Sequence, residues 1–378
     1  MIRHFFSGKL PAGILFILTF LLSAVSYSQD TTAKKSRQDS LPLLSSAERT
    51  KAYSRLVRKE TVSDTGMFIT HYINNTYYFE IPDSLYDRDM LLSSARSAMS
   101  SSDIDEMVAG ERVKPGIMVR WEKSPGSDKV LLRKSTSRTR LRFTGEDSGF
   151  QKSLSLQVLD PVIVSFPVKA EAPGGNLLID IKPLYVADIP DLTPFRGSLV
   201  ELLRLVAPRK YAFKEDRSYI TEALSFPQNI EVRSLLTFTE GNNNIYTLLM
   251  HRSLILLPET PMDMRYADPR VGYFGSSFEA FDEASPVAPR YFISRWRLEP
   301  FPEDRGKMKR GKLVEPQKPI VFYIDETTPA KWKPYIKKGI EDWNAAFEEA
   351  GFKNAVQVRD APVNDPDFHP EDIRYSVI

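Results

Sequence analysis

An α+β fold is predicted: mostly antiparallel β through the first three hundred residues, then the order β, α, β, loop, β that opens a mixed α/β segment. Three observations predict it. Apolar runs of period two are separated by turn dipeptides; the 27 prolines fall largely between those runs; and after residue 320 the apolar spacing changes to steps of three and four. A chain of 378 residues with 42% apolar content can bury a substantial core, and its length suggests two or three domains.

Residues 1–28 read as a secretory signal peptide: Arg3 and Lys9 precede an apolar run from Ile14 to Val25, and Ser26-Tyr27-Ser28 supplies the small-x-small cleavage signal. The run is too short for a membrane span, and no later segment approaches one. Export to the periplasm, cell surface or exterior follows. Loss of the leader lowers Lys+Arg from 51 to 49 against 49 Asp+Glu, so the mature chain is formally neutral and offers no electrostatic case for nucleic acid. With no cysteine, disulfides and thiolate nucleophiles are excluded.

Residues 29–50 are polar and Ser/Thr-rich, the composition of a flexible leader. The runs 67–73 and 76–81 flank Asn74-Asn75, a hairpin turn that also matches an N-glycosylation pattern. Runs at 117–123 and 129–134 flank Pro125-Gly126-Ser127-Asp128, and further strands are expected at 155–168, 176–181, 230–239 and 245–257. One helix is expected near 197–206. The text at 299–319, including the basic run KMKRGK, reads as a charged, Pro- and Gly-broken linker. A small β-rich domain is therefore placed at 51–100 and a larger one at 101–298, with a separate segment at 320–378.

In that segment Ile320–Ile324 suits a strand covered on both faces. Thr328 and Pro329 start a helix, and Gly351 ends it. Trp332, Ile336, Gly339, Ile340, Trp343, Phe347 and Ala350 form its apolar stripe, expected to face a core. Strands at 355–358 and 372–378 follow.

The stretch PIVFYIDETTPAKWKPYIKKGIEDWNAAFEEAGFKNAVQV, with PEDIRYSVI after it, resembles the start of the catalytic domain of large secreted bacterial zinc-dependent metalloproteases of the metzincin-like type. Residues 54–97 and 109–274 resemble the two domains of uncharacterised function that precede the peptidase in that family, and RWRLEP (295–300) and LVEPQKPIVFYID (313–325) resemble the connection. The resemblance implies the N-terminal portion of a zinc metalloendopeptidase, a protein or peptide substrate, and contact between accessory and peptidase domains. It also implies that the zinc ligands, an HExxHxxGxxH-like helix, come after Ile378. The alternative is a non-catalytic binding module or an inhibitory pro-segment.

No catalytic, cofactor-binding or metal residue is assigned within this chain. His4, His71, His251 and His369 are each without a following Glu or a second His one turn away. His71 and His251 read as strand side chains. Asp360, Asp365, Asp367, Glu371 and Asp372 lack calcium-loop spacing, and no serine, histidine and acid can be grouped by sequence into a hydrolase triad.

Overall fold

The computed structural model describes residues 45–100, 109–113, 115–135, 159–195, 211–241, 244–282 and 285–378. The leader to residue 44 and the helix expected near 197–206 lie outside them. The class is as expected, α+β and mostly antiparallel β.

A helix begins inside the stretch expected to be flexible: α1, Ser46–Leu56, is capped by Ser45 and Glu48 in a reciprocal capping box. Eleven strands then form one sheet. They are β1 (Val62–Thr65), β2 (Ile69–Ile73), β3 (Thr76–Ile81), β4 (Met90–Met99), β5 (Ile117–Lys123), β6 (Lys129–Lys134), β7 (Val162–Glu171), β8 (Leu177–Asp180), β9 (Tyr211–Ser225), β10 (Asn229–Glu240) and β11 (Asn244–Leu256). Their spatial order is β1-β2-β3-β8-β7-β6-β5-β4-β11-β10-β9. The strands of residues 62–99 and of 117–256 thus share one sheet, and the boundary read at 100/101 falls in the β4–β5 connection.

The predicted hairpins form where the turn chemistry sits. Asn74 and Asn75 take φ of 48° and 61°, both positive as a two-residue turn between right-twisted strands requires, and Ile73 faces Thr76 across it. Lys123 pairs with Val130 around Gly126, φ 66°.

The sheet curls until its two ends meet. Met67 N–H donates to the Phe226 carbonyl (2.7 Å). Ser225 seals the junction from the other side: its N–H donates to Asp64 (2.7 Å) and its hydroxyl to the Phe68 carbonyl (2.7 Å). Inside, Trp121 is the centre of an aromatic cluster, 6.0 Å edge-on from Phe68, 6.5 Å from Phe79 and 5.3 Å from Phe166. Each fully buried ring of this kind is worth ~2–3 kcal/mol from area alone.

The inward rows of β4, β10 and β11 carry a polar belt across this core. Leu92, Val232 and Leu254 belong to the cluster around Trp121, and Leu236 and Met250 to a second cluster with Phe238 and Tyr246. Between them lie the buried Ser94, Arg96, Ser234 and Arg252. The short helix α2 (Lys182–Tyr185) and the chain after it cross the belt because Arg252 donates to the carbonyls of Leu184, Tyr185 and Leu192 at 3.4, 3.0 and 3.3 Å. Arg96 adds a bond to the Pro194 carbonyl at 2.8 Å.

After a hairpin of β12 (Gly275–Asp282) and β13 (Ser285–Ile293), the stretch read as a linker is folded. It contains α3 (Arg305–Lys309), and Met308 and Leu298 pack on Val314, Phe352 and Ala355. The last segment holds a three-stranded parallel sheet in the order β15-β14-β16, from β14 (Ile320–Ile324), β15 (Val356–Asp360) and β16 (Ser376–Val377).

Four expectations change here. The long helix is two, α4 (Lys333–Glu341) and α5 (Asn344–Glu349), broken at Asp342–Trp343 where Trp343 N–H bonds three residues back to Ile340. It starts beyond Thr328 and Pro329 because Asp325 closes a turn onto Thr327 first. Trp332 and Trp343, expected in the core, are 51% and 64% exposed, and of the stripe only Ile336, Ile340 and Phe347 reach half burial. Val321, Phe322 and Tyr323 of β14 are likewise half-buried rather than covered on both faces.

A Cβ built on Gly66 would sit 2.6 Å from the Phe226 carbonyl oxygen, so the meeting of the sheet ends requires glycine. Gly66→Ala is expected to lower stability by ~1–3 kcal/mol in a urea melt. Gly272→Ala, at an exposed position with nothing within 4 Å of the added atom and no left-handed backbone, is expected to change stability by ~0.5 kcal/mol or less. Equal effects would mean that the contact at Gly66 is not tight.

Candidate functional site

Two polar clusters attach peripheral elements to the sheet. In the first, β2 and β3 place His71 and Glu80 side by side on buried positions. His71 Nε2 lies 3.1 Å from Glu80 Oε2, and Ser63 Oγ on β1 lies 2.7 Å from His71 Nδ1. With the serine hydroxyl donating to Nδ1, Nε2–H donates to the carboxylate. Tyr53 of α1 donates to Glu80 Oε2 (2.7 Å) and Asn176 to Oε1 (2.8 Å). Serine, histidine and acid therefore do stand in series, which spacing in the sequence did not reveal. Yet Glu80 already accepts from three donors and His71 is buried, so the chain acts as a clamp for α1, assisted by Arg49 on Asp128 and Glu171.

Burial alone would raise the Glu80 carboxyl, but donation from His71, Asn176 and Tyr53 outweighs it and holds the pKa below the ordinary value of 4.5. The Tyr53 hydroxyl is pushed well above its usual range by burial and by the neighbouring carboxylate.

The second cluster joins the eleven-stranded sheet to the chain just before β16, within the one compact unit of residues 43–378. Asn229, 1% exposed, donates to the Glu371 carbonyl (2.8 Å) and to Glu231 (2.6 Å), and its own Oδ1 accepts from Ile373 N–H (3.1 Å). Arg233 bridges Glu222 and Glu371. His251 Nε2 lies 2.7 Å from Glu231 and 3.9 Å from Glu371, Ser253 donates to Glu231, and His369 stacks near Phe226 at 5.0 Å.

One imidazole and two carboxylates here are the nearest approach to a ligand set. They do not fit a zinc site: Arg233 occupies Glu371, Ser253 and Asn229 occupy Glu231, and among the described residues no group of three or more His, Cys, Asp or Glu is arranged to hold a metal. The acidic loop does not converge either. Asp360 pairs with Lys337, Asp365 caps the Asp367 N–H, Asp372 pairs with Arg374 and Glu371 with Arg233. No helix among the described residues is long and apolar enough to cross a membrane.

Two family models match the chain: a domain of unknown function (DUF5117) over residues 110–301, and a second (DUF5118) over residues 50–98. No curated protein matches, and no solved structure does.

Glu80 sets a pH test. Its folded pKa lies below the unfolded one, so its stabilisation is present above about pH 4.5 and is lost as pH falls through the folded pKa. Glu80→Gln is expected to be less stable than the parent at neutral pH, with the difference shrinking below that window in denaturant melts. Asn229→Ala, which strands buried partners on both sides of the seam, is expected to cost ~1–3 kcal/mol and to raise amide exchange at residues 369–373.

Proposed function

The chain belongs to the family of the domain of unknown function DUF5117, and on that premise we propose that it is the accessory, N-terminal portion of an exported zinc-dependent metalloendopeptidase. In this reading the closed sheet is a rigid body that sets the orientation of the α/β segment, and the protein of which the chain is part hydrolyses peptide bonds in a protein or peptide substrate. The observation that carries it is the seam. Asn229 and Arg233 grip Glu371 and Ile373 through backbone and side chain together, so the strand that follows is fixed to the sheet region rather than tethered to it. The order β14, helices, β15, loop, β16 supports it as well, being that of the segment on which the resemblance rests.

The zinc would be held by residues other than those described here, since these do not fit a site. Purified residues 29–378 are expected to retain far less than one zinc per chain after gel filtration and to leave casein intact. Protein from the full reading frame containing them is expected to cut casein and to stop when a chelator is added. Zinc-dependent cleavage by residues 29–378 alone, or chelator-insensitive cleavage by the larger protein, would overturn the proposal.

A further inference from the structure

A solvent-open cleft of about 470 Å³ lies against the three-stranded sheet, on the side where Tyr323 meets Tyr375. Its polar lining is one-signed. Arg297, Lys318, Arg359 and Arg374 border it, among the described residues no Asp or Glu does, and Trp296, Tyr323, Tyr375 and Ile373 supply apolar walls. The four cations come from four separate stretches: the segment before the folded connector, the lead-in to β14, the end of β15 and the turn before β16.

Two of these charges are balanced from outside the cleft. Arg297 pairs with Glu299, and Arg374 is gripped by the buried Asp372 through Nε and Nη2 at 2.8 and 2.6 Å, a fork that fixes the guanidinium plane. Arg374 also lies over the Tyr375 ring, 5.4 Å from its centroid. The other two are uncompensated: Arg359 donates to the neutral Gln357, and among the described residues neither Arg359 nor Lys318 forms an ion pair. Trp296 is 53% exposed at the rim and held edge-on to Phe322 at 6.0 Å.

A single small anion is gripped by donors that converge on it. Cations spread around an open, aromatic-walled cleft suit a ligand with several negative charges spaced along a chain and apolar groups between them. We propose that this cleft binds an acidic peptide segment in which carboxylate side chains alternate with aromatic or large apolar ones, the carboxylates meeting Arg359 and Lys318 and an aromatic group resting on Trp296. The proposal concerns side chains of this chain and is decided by binding, whereas the peptidase reading is decided by cleavage, so the two can fail separately.

The test uses residues 29–378 and a blocked hexapeptide of alternating glutamate and phenylalanine, titrated by calorimetry at low salt. Binding is expected, weakened about tenfold or more when glutamine replaces glutamate in the peptide, and by a similar factor in the double variant Lys318→Glu, Arg359→Glu. Raising salt to several times the physiological level should weaken it further. Trp296→Ala, a surface change with an unaltered melt, should reduce affinity for the phenylalanine peptide more than for an alternating glutamate and serine one. Absence of binding, equal binding of the glutamine peptide, insensitivity to the double reversal, or binding of free glutamate or inorganic phosphate as tightly as of the peptide would each overturn the proposal.

Discussion

The guanidinium of Arg252 is the interaction around which this molecule is arranged. It sits on an inward row of β11, wholly enclosed, and burial lowers its pKa to about 10, which still leaves it charged near neutrality. A buried cation without compensating acceptors is costly. Here three carbonyls of the chain between Leu184 and Leu192 meet it, so that irregular stretch must lie across the inner face of the sheet. Arg96, two positions along on β4, likewise donates to a carbonyl, that of Pro194, but its charge is also paired with Glu111. The core is consequently two apolar clusters with a polar brace between them, rather than a single oily interior.

The same logic governs the periphery. Neither α1 nor the paired helices α4 and α5 contributes a fully buried residue. Helix α1 stays on the sheet through Tyr53 on Glu80 and Arg49 on Glu171, and the Glu171 carboxyl is held low first by the Ser46 hydroxyl and then by Arg49. The C-terminal segment is joined through Asn229 and Arg233. Apolar burial closes the sheet, while directional polar contacts decide where everything else attaches. Such contacts are exacting in geometry, since each leaves a buried group unsatisfied if its partner shifts.

Much of the sheet was legible. Asn74-Asn75 and Pro125-Gly126 mark turns because those residues tolerate the backbone the turn demands, and the alternation on either side identifies the strands of both hairpins. β4 and β9 were missed, for a definite reason. The inward row of β4 includes Ser94 and Arg96, and β9, YAFKEDRSYITEALS, is largely solvated, so neither shows clean apolar alternation. The capping box Ser45-x-x-Glu48 was a readable signal of α1, obscured by the polar composition around it. The polar clusters were illegible: Tyr53, Ser63, His71, Glu80 and Asn176 span more than a hundred residues and converge only when β3 pairs with β8.

By itself, then, the sequence determined the class, the hairpins and the switch from period two to helical spacing near residue 320, because these follow from local sterics and from which side of an element is apolar. It determined the lack of cysteine chemistry outright. Only the tertiary structure decided that the strands from 62 to 256 form one closing sheet, that the apolar stripe with Trp332 and Trp343 stays largely wet, and that four cations from four stretches border one cleft. Each of those depends on which distant segments become neighbours. A linear pattern records the preferences of a residue but not the partner that will satisfy them.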